Sequence, residues 1–306
     1  MNSDLINYLS HHLVSSSDAV LDEFVDQITR LFGDSVIAIV FYGSCLRTKQ
    51  YDDAMLDFYV IVDDYKNCYA GMLERLANLL LPPNVYFLQT DINQKQHVSK
   101  YAVITLKDLH QRVSIESFHP YFWARFCQPI SVPYVNDEKT YKEICHIQAT
   151  AIETFLATTQ EHQQLNINQD LDPEVWIHGF GLTYAAELRA ESQGRAKQIF
   201  DDNKDFYLGI NRCLSSSSNQ ALPKNTPCTR RYFDWCWRMR NILGRVLSIL
   251  RLFKASFTFK NGVDYIAWKI ERHTGEKILV SPRLRRFPWI FAWPLLCRLL
   301  SKRTIK

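Results

Sequence analysis

Gly43-Ser44 and Asp57 are the residues whose types and spacing point to chemistry in this chain. The pair follows a β-branched apolar run, Val36–Tyr42, that reads as a buried strand. A glycine at a strand end lets the backbone turn tightly. If a helix opens there, its first N–H groups are free to bind phosphate, and the serine hydroxyl adds a donor. Asp57 comes thirteen residues after Ser44, inside a second apolar run, Met55–Val62. A carboxylate on a neighbouring strand can hold Mg²⁺ against the same phosphates. The chemistry would be transfer of a nucleotidyl or phosphoryl group. The same three residues also read as a turn glycine and a strand-end aspartate, because Gly-Ser with one Asp is a common combination.

An apolar strand, Gly-Ser and then Asp-x-Asp is the pattern of the nucleotidyltransferase superfamily related to DNA polymerase β. Two registers fit. With Asp57 as the second carboxylate, Met55 replaces the first; with Asp57 as the first, Tyr59 occupies the second position. A closer resemblance lies in Phe41-Tyr42-Gly43-Ser44 followed by Met55-Leu56-Asp57-Phe58. This is similar to the mitochondrial-type CDP-diacylglycerol synthases, which carry Met-Leu/Ile-Asp-Phe in place of Asp-x-Asp. The likeness continues at Val85-Tyr86-Phe87, Lys100-Tyr101-Ala102-Val103-Ile104, Phe126-Cys127-Gln128-Pro129-Ile130, Gly181-Leu182-Thr183-Tyr184, Glu187-Leu188-Arg189 and Arg195-Ala196-Lys197, collinear over residues 36–210. Two departures stand out: Cys45 where the family has Gly, which would narrow the phosphate turn, and Glu187 where it has Asp.

The resemblance implies transfer of CMP from CTP to phosphatidic acid, with Mg²⁺. It implies that Tyr42, Gly43 and Ser44 cradle the nucleotide phosphates, that Asp57 binds the metal, and that Lys100 contacts phosphate. Arg189 and Lys197 would bind the lipid head group or pyrophosphate. A second metal-binding carboxylate is expected elsewhere: Asp91, after the third strand, or Asp53. Arg47 and Lys49 either reach phosphate or stay solvated, and His178 reads as a packed or surface histidine. Two rivals remain: a nucleotidyltransferase acting on RNA or a small acceptor, and an inert lipid- or nucleic-acid-binding protein with the same fold.

The elements that would position these residues follow from periodicity. Helices are expected over residues 18–32, 69–81, 139–159, 173–191, 195–208 and 230–253, with a short one from Lys107 and another over 264–272. Strands are expected over 36–42, 55–62, 85–89 and 101–105, and the pattern turns helical from about Tyr121. The expected fold is α+β: a polymerase-β-like nucleotidyltransferase domain (1–118), a helical second domain (119–228) for which a winged-helix-like form is one option, and a basic amphipathic C-terminal region (229–306).

The net charge of +4 hides a partition. Residues 229–306 hold 18 Lys+Arg against 4 Asp+Glu, a net of +14; residues 1–228 hold 18 against 28, a net of −10. A basic tail rich in Trp, Phe and Leu suits an anionic surface, and in view of the resemblance a membrane rather than nucleic acid. Residues 241–260 and 282–303 are the expected interfacial segments; the alternative is that their apolar residues pack as core. Eight cysteines without a CxxC pair read as reduced thiols, and no zinc-ligand spacing or Ser-His-Asp arrangement stands out. No run approaches the roughly 20 apolar residues of a membrane span. Residues 1–17 lack the features of a signal or transit peptide. The expectation is a bacterial relative of the mitochondrial enzymes, cytoplasmic and peripheral on the inner membrane.

Overall fold

Asp18 accepts hydrogen bonds from the amides of Val20 and Leu21 and so caps a helix that the sequence places well. In the computed structural model, which describes residues 2–14, 18–52, 54–92, 94–163, 173–187, 194–215 and 227–258, that helix is the second. The chain opens with α1 (Ser3–His12) and α2 (Ala19–Phe32), then β1 (Val36–Tyr42), the short α3 (Ser44–Thr48) and β2 (Met55–Val62). After α4 (Tyr65–Cys68) and α5 (Met72–Leu80) come the hairpin strands β3 (Asn84–Ile92) and β4 (Lys95–Thr105). Next are α6 (Leu106–Val113), α7 (Trp123–Phe126), β5 (Ile130–Val135) and the long α8 (Glu138–Gln163). Last are α9 (Pro173–Ala185), α10 (Arg195–Asp201), α11 (Lys204–Ser215) and α12 (Pro227–Thr258).

The architecture is α+β, a five-stranded mixed sheet in the order β3-β4-β2-β1-β5. β2 and β4 run parallel; the other neighbours are antiparallel. One face packs on α2 and on Tyr65 and Tyr69, through Phe24, Ile28, Phe41, Phe58 and Val60. The other face, with Val40, Tyr59, Ile61 and Ile104, joins a larger core supplied by α1 and α6 to α11 and by Trp237 of α12. Burying large side chains on both faces, at about 1.5–3 kcal/mol each, is what holds the sheet.

Several elements differ from expectation for identifiable reasons. The region after Tyr121 is not all helical: residues 130–135 form β5, which joins the same sheet beside β1. Thus the sheet extends past the expected boundary at 118. Pro133 hides this strand in the sequence. An edge strand tolerates proline, and the register shift opposite Ile39–Phe41 absorbs an extra residue there as a bulge. α1 was not expected; Asn2 caps it, and Leu5, Leu9 and Leu13 line its buried side. The stretch 195–208 is two helices, α10 and α11, not one. β3 and β4 are longer than their apolar cores, since the hairpin continues through polar residues to Ile92 and Lys95.

α12, expected to belong to a separate region, is seated on the body. Cys236 and Trp237 are buried. Asp234 meets His162 Nε2 at 3.3 Å, while His162 Nδ1 lies 3.0 Å from His178 Nε2, so this trio ties α8, α9 and α12 together. Lys254 Nζ donates to the carbonyls of Leu81 and Pro83. Gly244 allows a close approach: a Cβ there would lie 2.0 Å from the Ala186 carbonyl oxygen. The expected helix over 264–272, the segment 282–303 and most of the Ser/Pro-rich stretch 214–229 lie outside the described residues. No described helix is long and apolar enough to cross a membrane.

Candidate active site

Sheet pairing brings the sequence candidates into one row. Asp57 of β2 is opposite Tyr42 of β1 on one side and Lys100 of β4 on the other. The row continues to Phe87 of β3 and Ile130 of β5. Residues paired across strands project to the same face. Asp57, Tyr42 and Lys100 therefore share a face, at the end of the sheet where β1 stops. Both Asp57 and Lys100 are half-buried.

Gly43 turns the chain out of β1 into α3 with φ +92° and ψ −158°, a conformation open essentially to glycine. A Cβ at this position would sit 3.0 Å from Asp57 Oδ2. The carboxylate thus lies against the backbone that opens α3, whose N-cap is Gly43 itself. Ser44, its first residue, is exposed. The Tyr42 ring stacks on Tyr59 at 4.8 Å. Burial, and then the Asp57 carboxylate, push the Tyr42 phenol far above its usual range, so it stays protonated and can donate.

The Cys45 departure does not narrow the turn. Its side chain is buried in the core, where the thiol donates to the Met55 carbonyl at 3.1 Å and pins α3 to the start of β2. Arg47 is not solvated: its Nε lies 3.1 Å from Asp202 Oδ2, with 9% of the side chain exposed. This pair fastens α3 to the end of α10, the helix carrying the exposed Lys197. Lys49 is exposed at the C-cap of α3.

Asp91 is not brought to Asp57. It pairs with Gln96 near the tip of the β3–β4 hairpin, four residues along β3 from Phe87 and two strands from β2. At about 3.3 Å per residue that is about 13 Å along the strand alone. The sequence placed it after the third strand; β3 instead continues through it to Ile92, and the length of the hairpin carries it away. Arg189 and Asp53 lie outside the described residues.

A buried cationic cluster that sequence reasoning did not assemble lies beside Tyr42 and Tyr59. Arg125 of α7 donates to Glu187 at 2.6 and 3.0 Å and to the Tyr121 carbonyl at 2.6 Å. Burial alone would lower the Arg125 pKa, but Glu187 and the surrounding phenols more than offset it, and the guanidinium stays charged. Arg125 stacks on the Tyr121 ring at 3.8 Å, and Arg251 of α12 lies over the same ring at 3.9 Å. His119 accepts from the Tyr121 amide through Nδ1, and burial together with the positive charge of Arg251 lowers its pKa to about 3. It is a neutral packing residue. The only sequence signal for the cluster was Glu187 as a departure within a matched segment.

The row fits a divalent cation in one way. Mg²⁺ commonly takes one or two protein carboxylates and completes its octahedron with substrate phosphates and water. Asp57 supplies one carboxylate beside the start of α3, which suits a metal arriving with a polyphosphate. Among the described residues no group of three or more acidic, His or Cys side chains forms a ready-made cage. A scan against protein-family models matches none, and a search of curated proteins finds no significant relative.

Proposed function

We propose that this protein is a CTP:phosphatidate cytidylyltransferase, built from a polymerase-β-like nucleotidyltransferase domain and a helical second part. The observation that carries this is the Lys100–Asp57–Tyr42 row with Gly43 folded against the Asp57 carboxylate. A carboxylate suited to a metal, a cation and a glycine-only backbone turn meet there.

In the reaction, a phosphate oxygen of phosphatidic acid attacks the α-phosphorus of CTP. A new P–O bond forms, the bond to the β-phosphate oxygen breaks, and pyrophosphate leaves with its electron pair. The attacking oxygen is already anionic, so little general-base help is needed; positioning and charge neutralisation carry the catalysis. Asp57 would hold Mg²⁺, which when bound neutralises charge on the polyphosphate. The amides opening α3, with Ser44, hold phosphate oxygens. Lys100 offsets charge from the adjacent strand, and Tyr42 donates from the other side. Arg125 is neutralised by Glu187, so Arg251 is the member of the cluster that adds positive charge for two polyanionic substrates. Lys197, on the helix fastened to α3 by Arg47–Asp202, is suited to the lipid phosphate or the departing pyrophosphate. The setting is a membrane surface rather than nucleic acid, on the cytoplasmic side.

The test is an acceptor panel with labelled CTP: phosphatidic acid vesicles, RNA and small alcohols. Label should move only to the lipid, with Mg²⁺. Transfer to RNA or to a small alcohol without lipid would reject this function.

A further inference from the structure

Two helices of this protein are turned inside out. In α5 the one fully buried side chain is polar Asn78, which donates to Tyr69 Oη and the Val103 carbonyl and accepts from the Asn84 amide. Its apolar residues point outward: Met72, Leu73 and Leu80 are 72%, 82% and 79% exposed. α12 repeats the arrangement. Its inward face carries Asp234, Arg240, Gly244, Arg251 and Lys254, bonded to or packed on the body. Its outward face carries Trp235, Met239, Ile242, Val246, Ile249 and Leu250 at helical spacing. Of the seventeen exposed large apolar residues among those described, five lie on α5 and eight on α12. Large apolar side chains exposed together on a soluble protein mark an interaction surface.

The helices adjoin: α12 touches α5, and Arg251 and Lys254 grip the carbonyls of residues 81–83 immediately after it. Charge decides the occupant. α12 carries seven Lys+Arg against Asp234 alone, and Asp234 faces inward onto His162. Arg231, Arg238 and Arg245 recur every seven residues, all exposed, so they flank the outward stripe on every second turn. Apolar residues with Trp and Tyr at one end and arginines along an edge match the interface of an anionic bilayer.

We propose that the outward faces of α5 and α12 form one composite surface that seats the protein on an anionic membrane. The choice of a phosphatidate-bearing bilayer rests on the proposed reaction; the surface itself is testable without it. The full chain, without CTP, is floated with phosphatidylcholine vesicles with and without phosphatidylglycerol. Wild type should float with the anionic vesicles, and less so in high salt. Leu73→Asp with Leu80→Asp on α5, and Ile242→Asp with Ile249→Asp on α12, should each weaken binding about tenfold or more. Leu31→Asp, on the exposed side of α2, should not. Melting temperatures check that all variants fold, which these exposed positions favour.

Wild type that does not float, or an α5 pair that floats like wild type, overturns the proposal. So does a wild-type dimer by light scattering that the α5 pair dissociates while vesicle binding persists, because the face would then join two copies. Floating protein that makes no CDP-diacylglycerol keeps the surface and removes the reaction. Protein that converts detergent-dispersed phosphatidate without floating keeps the reaction and removes the surface.

Discussion

At the scale of single residues, Gly43 and Asp57 act as a unit. A methyl at Gly43 meets Asp57 Oδ2 at 3.0 Å, and its backbone is held at φ +92°. Gly43→Ala is therefore expected to cost about 1–3 kcal/mol in urea denaturation. It should also lower turnover by about a hundredfold, since it displaces the carboxylate as well as the turn. Arg125 and Glu187 make a different prediction. Each has 13% of its side chain exposed, so removing one leaves the other's charge buried. Arg125→Met alone should destabilise by about 3–5 kcal/mol. Arg125→Met with Glu187→Leu should recover most of that in a double-mutant cycle; strict additivity would mean the two side chains are not coupled.

At the scale of elements, the seating of α12 is open to pH. His119 lies under Gly244, with Arg251, Arg125, Arg112 and Glu187 as its charged neighbours. Its folded pKa of about 3 is below the unfolded value of 6.5. As pH falls below 6.5 the unfolded chain gains a proton that the native state refuses. Stability is then lost between about pH 6.5 and 3, by up to about 1.4 kcal/mol per pH unit. His119→Asn keeps an acceptor for the Tyr121 amide and should flatten this part of the stability-versus-pH curve relative to wild type; an unchanged slope would mean His119 protonates freely. Elements also mark what the sequence made legible. β1, β2 and α2 were readable because β-branched runs and the Asp18 cap act locally. β5 was obscured by Pro133, which only an edge position and a bulge accommodate. The orientation of α5 was not readable, and for 241–260 the sequence offered an outward interfacial face with core packing as the alternative. Helical periodicity identifies an apolar face but not which side is buried; here Asn78, Arg251 and Lys254 take the inward side because backbone carbonyls and amides await them there.

For the whole molecule, the sequence showed a charge partition of −10 and +14 but not its geometry. Part of the basic region is woven into the body, where Arg251 shares the Tyr121 ring with Arg125. The site was half legible. Gly43, Ser44 and Asp57 came from local pattern, but Lys100 stands beside Asp57 only because β4 runs parallel to β2, a pairing no spacing rule reveals. Asp91, read from its place after a strand, is carried away by that same strand's hairpin. The central claim, that the Asp57 row is where CTP reacts with phosphatidic acid, is tested most directly by pyrophosphate release from CTP in wild type and Asp57→Asn. Wild type should release pyrophosphate only when phosphatidic acid and Mg²⁺ are both present, and Asp57→Asn, folded by its melting temperature, should be slower by about a thousandfold. Lipid-dependent release at the wild-type rate by Asp57→Asn, or no lipid-dependent release by wild type, would contradict it.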